Sequence, residues 1–187
     1  MKRKVTLAVI CMAAVCCMQA QISAAMQEKI KRTEGLMLEV YRDGDKLAVG
    51  YGHHIRYSHQ EWIQDLEEGD PITEELAGLL FRHDMLYLVT PGLEQIKREL
   101  GREYPQNVYD VLGSLIYNMG LQGMKSTEFY RLFKAGEYER AFSYLLLAGT
   151  GQKGNEKRRR MELEHLLEGY EPRSRTWIKE EARYQSK

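Results

Sequence analysis

The sequence predicts an α+β fold, mainly α, in which a small β-hairpin lobe joins a larger helical lobe and leaves a cleft between them. Three observations carry this reading. Asp43-Gly44-Asp45 separates the β-prone runs Val40-Tyr41 and Leu47-Ala48-Val49, which is a hairpin signature. Val108, Val111, Leu112, Leu115, Ile116 and Met119 keep the spacing of a strongly amphipathic helix. The chain has 187 residues, 43% of them hydrophobic. That is enough for one or two small lobes around a real core and too few for several domains.

The first stretch reads as a leader. Met1-Lys2-Arg3-Lys4 is a positive n-region, and Val5 to Met18 is an uncharged apolar run of 14 residues. Small residues follow at Ala20 and at Ser23-Ala24-Ala25. This is the layout of a secretory signal peptide over residues 1–24, with cleavage after Ala20 or Ala24, and the run is short for a membrane span. An uncleaved anchor is the competing reading. A lipoprotein would use Cys16 or Cys17, but Val15 fits a lipobox poorly. The expectation is export to the periplasm or cell envelope, with no stable membrane span once the leader is removed. All three cysteines (Cys11, Cys16, Cys17) lie in this leader. Residues 25–170 would then form the domain without a thiol, and so without a disulfide, a thiolate nucleophile or a cysteine metal site.

From Met26 the pattern turns helical, with Ile30, Thr33, Leu36 and Met37 on one face. Val40 to Tyr57 reads as a small antiparallel sheet, with Gly50 and Gly52 permitting a bend. Thr73 caps a helix that runs to about Val89 and stops before Pro91-Gly92. A short helix spans Leu93 to Leu100. The amphipathic helix around Val108 closes at Gly120. Ser126 or Thr127 caps the next helix, which reaches Gly136. Tyr138 to Leu147 is helical, Gly149 to Gly154 is a flexible loop, and Glu156 to Leu167 is the last clear helix. The segment 171–187 is a polar tail.

Charge narrows the partners. Without Lys2, Arg3 and Lys4 the chain holds 24 basic and 27 acidic residues. A basic nucleic-acid footprint is absent, so no nucleic-acid partner is expected. A cationic surface suited to an anionic wall is absent too. His53-His54 lacks the i, i+4 spacing of a helical zinc pair, so no metal or other cofactor is expected.

Glu34 sits near the end of the first helix, and Asp43 sits in the turn of the sheet that follows. A helix-to-hairpin step of this length can bring both carboxylates to one cleft. Glycoside hydrolysis needs such a pair: one carboxyl protonated, to give its proton to the leaving oxygen, and one ionised, to activate water or attack the sugar. Taken alone the pair is weak evidence, because most Glu and Asp are solvated surface charges.

The whole string is more specific. Glu34-Gly-Leu-Met-Leu-Glu-Val-Tyr41-Arg-Asp43, followed by Gly50-Tyr-Gly-His53, resembles the active-site signature of the phage T4-type lysozymes, which include many endolysins. Ile72-Thr73-Glu74-Glu75-Leu76 through His83-Asp84 resembles that family's long connecting helix. Tyr117-Asn118-Met119-Gly120 is similar to its Phe-Asn-x-Gly helix end, and Gly154 with Arg158-Arg159-Arg160 and Glu162 to its basic last helix. The likeness runs from about Met26 to Leu167. It implies a lysozyme-like fold and a muramidase that cleaves the β-1,4 bond between N-acetylmuramic acid and N-acetylglucosamine in peptidoglycan. By the same resemblance Glu34 is the general acid, Asp43 is the second carboxylate that places and activates water, and His53 pairs with Asp84. Asn118, at a helix end, would hydrogen-bond an N-acetyl group or serve only as a structural helix-ending residue, and Tyr51 would line the cleft or simply pack. Arg158 to Arg160 would supply a partner for Glu34 or contact the wall's carboxylates, and for at least two of the three a solvated basic helix face is the favoured reading.

One position departs from the family. Ala48 stands where the resemblance expects a threonine, two residues before Gly50-Tyr51-Gly52, so no hydroxyl there can hold the attacking water. This keeps open a catalytically impaired peptidoglycan-binding protein; a lytic transglycosylase, which also uses one catalytic Glu, is the second alternative. The leader favours a resident wall hydrolase serving an envelope-spanning secretion or conjugation machine over a phage lysin.

Overall fold

The computed structural model describes residues 20–57, 61–149, 155–168, 170, 175–176 and 178–179. Most of the leader, with all three cysteines, lies outside the described residues, as do positions 150–154 of the Gly149 to Gly154 loop. None of the described helices is long and apolar enough to cross a membrane.

Helix α1 (Ala24–Glu34) begins at Ser23, whose hydroxyl accepts the Met26 N–H at 3.1 Å. Such a side-chain cap satisfies one of the helix's orphan donors. Its inward face is Met26 and Ile30, both fully buried in the helical lobe. The expected continuation of that face to Leu36 and Met37 does not occur. Gly35 adopts φ 77 and turns the chain out of the helix, so Met37 opens a strand and is 46% exposed.

Strand β1 (Met37–Asp43) pairs antiparallel with β2 (Lys46–Gly50), which pairs with β3 (His53–His54). The register sets Tyr41 opposite Ala48 and Val49 opposite His53. Gly44 at φ 64 makes the tight turn between β1 and β2. Val40, Val49, Ile55, Ile63 and Leu80 form the small lobe's own core, with Ile63 contributed by the short helix α2 (Glu61–Gln64).

Helix α3 (Glu74–Asp84) starts at Thr73, whose hydroxyl accepts the Leu76 N–H. The sequence places a stop before Pro91, and the structure does not stop there. One π turn (Met85–Val89) carries α3 directly into α4 (Thr90–Leu100). The Thr90 N–H reaches back five residues to the Met85 carbonyl. The widened turn places Pro91 in the first turn of α4, where its missing N–H costs nothing.

Helix α5 (Gln106–Lys125) breaks at Gly120, with φ 74 and ψ 163, and then resumes. Thr127 caps α6 (Glu128–Lys134). After α7 (Tyr138–Tyr144) comes a 3₁₀ turn, Leu145–Leu147, and α8 (Asn155–Leu167) follows. The helical lobe packs around Phe81, Leu93, Leu112, Leu115 and Phe133. Two flanks join this core. Ala20 and Ile22 are buried in it at the N-terminal side, and Ile178 is fully buried in it at the other. Ile178, which falls in the segment read as a polar tail, is thus a core residue.

Candidate active site

Glu34 is the last residue of α1 and Asp43 the last of β1. Both line a single groove between the small lobe and the helical lobe. It is also lined by Tyr41, His53, Asp84, Tyr117, Asn118 and Asn155. The Asp43 side chain is 61% exposed, with the ring of His54 3.3 Å away. Glu34 is more enclosed, at 24% exposed.

Glu34 is held from below. Arg158, only 2% exposed, donates to Glu34 Oε1. The same guanidinium donates to the Ser114 carbonyl at 3.1 Å and lies 3.2 Å from Glu162 Oε1. Ser114 Oγ donates to Glu162, and Arg159 donates to Glu162 Oε2, to the Ala148 carbonyl and to Asn118 Oδ1. Arg159 and Glu162 are fully buried. Two guanidinium ions and one carboxylate leave one positive charge under the groove, and it is directed at Glu34. Buried ions persist only when paired and fully hydrogen-bonded, and this cluster meets both conditions. The solvated-face reading of the arginine run holds for Arg160 alone. The missed signal was present as Glu162, four residues after Arg158 and three after Arg159, because that spacing stacks opposite charges on one face.

The other oxygen of Glu34 faces Gly52. A Cβ on Gly52 would lie 3.7 Å from Glu34 Oε2, and Gly52 adopts φ +88. A side chain here would be strained at that φ, and its Cβ would sit in ordinary van der Waals contact with the Glu34 oxygen not held by Arg158.

His53 is 3% exposed, and its Nδ1 lies 2.9 and 3.0 Å from the two Asp84 oxygens. This contact ties β3 to the end of α3 along the groove wall. Tyr117 donates its hydroxyl to the Tyr51 carbonyl at 2.7 Å. Burial, and then the negative charges of Asp84 and Glu34, hold the Tyr117 phenol well above the ordinary tyrosine range. Tyr41 is raised as well, by burial first and then by Asp43 and Glu34. Both phenols therefore remain neutral hydrogen-bond donors at any physiological pH.

Of the residues singled out in the sequence, the groove gathers Glu34, Asp43, His53, Asp84 and Asn118. It does not gather Tyr51. That ring packs edge-on against Phe81 at 5.6 Å on the helical core, so the packing alternative describes it. Ala48 is fully buried in β2 and does not line the groove. Tyr41 and Tyr117 were not singled out as site residues. Tyr41 in a β-prone run and Tyr117 among apolar helix positions both read as packing residues, and nothing in the sequence reports which edge of either faces a groove.

A helical lobe and a small sheet with carboxylates opening into the groove between them define a lysozyme-type glycosidase. The phage lysozyme family model matches residues 31–162, and the chain belongs to that family. It is 32% identical over 113 residues to an endolysin of Acyrthosiphon pisum secondary endosymbiont phage 1, covering 60% of this chain and 68% of that protein. It is 30% identical over 155 residues to an endolysin of Bacillus phage B103, covering 79% of this chain but only 54% of the relative. Among solved structures it resembles the muramidase domain of SpmX from Asticaccaulis excentricus. That match has a TM-score of 0.62 and 26% identity, and covers 79% of this chain and 97% of the domain. The chain is a peptidoglycan hydrolase of the lysozyme type.

Proposed function

We propose that the chain is a muramidase that cleaves the β-1,4 bond between N-acetylmuramic acid and N-acetylglucosamine, with Glu34 as general acid and Asp43 as the carboxylate that activates water. The observation that carries this reading is the division of labour at Glu34. Oε1 is fixed by a buried guanidinium, while Oε2 lies on the side left open by Gly52. Protonated there, Oε2 delivers its proton to the glycosidic oxygen. The negative charge this leaves on Glu34 meets a cation already in place, so no reorganisation is needed. Exposed Asp43, the last residue of β1, opens into the groove, where it can meet a water on the other side of the sugar. Asn118, oriented by Arg159, offers its amide to an N-acetyl group.

The full chain should release reducing ends from isolated cell walls, and Glu34→Gln should abolish the release. Wild-type protein that binds walls but releases no reducing ends would sink this reading. Anhydromuropeptide products with an active Asp43→Asn variant would replace it with the transglycosylase.

We also propose that residues 1–20 form a cleaved export leader and that Ala20, rather than Ala24, is its last residue. Ile22 is buried, and Ser23 both caps α1 and hydrogen-bonds Asp110 with its N–H and its hydroxyl, at 2.6 and 2.7 Å. Cleavage after Ala24 would remove both residues from the folded lobe, whereas cleavage after Ala20 gives up only buried Ala20 and its N–H bond to Glu94. Mass spectrometry of the exported protein should give Gln21 as the first residue; Ala25 would overturn the assignment. An exported hydrolase of this kind would suit a resident enzyme that opens the wall for an envelope-spanning secretion or conjugation machine. Pull-down with components of such a machine tests that role.

A further inference from the structure

We propose that His53, His83 and Asp84 form a binding site for a divalent transition-metal ion of the zinc class on the wall of the groove. Each side chain offers one donor atom, and the three donors lie within 4.8 Å of one another. Asp84 Oδ1 stands 2.9 Å from His53 Nδ1 and 3.7 Å from His83 Nδ1. A zinc ion bound at roughly 2.0–2.1 Å in tetrahedral geometry spaces its ligands about 3.3 Å apart. The cluster brackets that spacing, so small side-chain movements would admit an ion between the three donors. Two imidazoles and a carboxylate suit zinc, copper or nickel, whereas magnesium and calcium favour sites built from oxygen alone.

The setting is right for a bound ion. His83 and Asp84 end α3 and His53 begins β3, so regular elements carry all three donors. His53 is 3% exposed, and the other two side chains are 15% exposed. All three line the groove, which leaves a fourth coordination position open to it. Such an open position distinguishes a ligand-accepting zinc site from a closed structural one.

The adjacent pair His53-His54 argues against a metal in the sequence. The structure instead turns His53 away from its neighbour and towards His83, a residue with no assigned role. Neither Glu34 nor Asp43 belongs to this site, so it stands apart from the hydrolytic reading.

The test is zinc chloride titration by calorimetry. It uses the full chain carrying Cys11→Ser, Cys16→Ser and Cys17→Ser, so that leader thiols do not compete. One equivalent should bind, and magnesium chloride should give no heat. His83→Ala keeps the His53–Asp84 contact and should weaken zinc at least tenfold, as should Asp84→Asn. In the NMR spectrum, zinc should move the imidazole resonances of His53 and His83 and leave those of His165 in place. No binding, full affinity in His83→Ala, or shifts confined to other histidines would overturn the site, whatever the enzyme's activity.

Discussion

Arg158 reaches Glu34 from beneath the groove while its own Nε lies 3.2 Å from the buried carboxylate of Glu162. One guanidinium thus joins α8 to the end of α1 and couples the proposed acid to the interior of the helical lobe. The position of Glu34 is fixed by the larger core and not by the small sheet beside it. Such fixing matters because a reactive group that wanders by an ångström loses much of its effect.

Removing that guanidinium should cost both stability and rate. Arg158→Ala strands Glu162 beside a single remaining arginine, and breaking a buried ion pair costs about 3–5 kcal/mol. Arg158→Lys keeps the charge but loses the fork that serves Glu34, Ser114 and Glu162 together. We expect Arg158→Lys to fold, to melt several degrees lower, and to release reducing ends at least tenfold more slowly. Circular dichroism melts and reducing-end assays check this. Unchanged turnover in Arg158→Lys would remove Arg158 from the mechanism.

Gly113 gives a direct measure of how firmly the N-terminal segment belongs to the fold. A Cβ there would lie 2.2 Å from Ile22 Cγ2 and 3.1 Å from Val89 Cγ1. Gly113→Ala should therefore destabilise the chain by about 1–3 kcal/mol through overpacking. Adding Ile22→Ala should recover much of that loss, because the two positions are in contact and their effects are not additive. Urea melts of the two single variants and the double variant supply the cycle. A coupling energy near zero would detach Ile22 from the core.

The lobes and most helices were legible because their signals are local. Thr73, Thr127 and Gly44 each act within a few residues of themselves, and the spacing from Val108 to Met119 reports one helix face directly. The carboxylates were legible because Glu34 and Asp43 lie within one short string that resembles a known family. What stayed hidden depends on contacts distant in sequence. Pro91 signals a helix end by every local rule, yet a π turn just before it moves it to a position it tolerates. Arg158 and Arg159 look solvated until Ser114, Glu162 and Glu34 are placed around them. Tyr51 sits beside the signature residues in sequence, but its ring turns to Phe81.

The Glu99 cluster predicts how stability responds to pH. Lys125 donates two hydrogen bonds to Glu99, at 2.6 and 2.8 Å, and Gln95 donates a third at 2.8 Å. The Lys125 bonds, then that of Gln95, hold the Glu99 carboxyl below the usual glutamate range. The unfolded chain therefore takes up this proton first as pH falls. The contribution is complete above the ordinary glutamate range and is lost as pH drops through the lower folded value. At the alkaline end Tyr130, 3.3 Å from Glu99, is pushed up to about 12 by burial and then by Glu99. Its contribution is complete below the ordinary tyrosine range and fades as pH rises towards that raised value. Glu99→Gln should flatten the acid limb, and Tyr130→Phe the alkaline one, in melts recorded across pH. Wild-type slopes in both variants would contradict the assignment.

Ala48 decides whether the missing hydroxyl limits the enzyme. If turnover were limited only by the residue type at this position, Ala48→Thr would raise it. The geometry argues otherwise. Ala48 is fully buried in the middle strand, opposite Tyr41 on one side and His54 on the other, and it does not line the groove. A threonine there adds two heavy atoms to a filled space, at about 1–3 kcal/mol, and a hydroxyl that must find a partner away from water. The expected outcome is a lower melting temperature with no gain in reducing-end release. Water would then be placed by groups that do reach the groove, among them the neutral phenols of Tyr41 and Tyr117. Tyr41→Phe should slow turnover while leaving the fold intact, because Tyr41 lines the groove with both acids, and burial and then their charges keep its phenol neutral. A faster Ala48→Thr enzyme would reverse this order and return the attacking water to the middle strand.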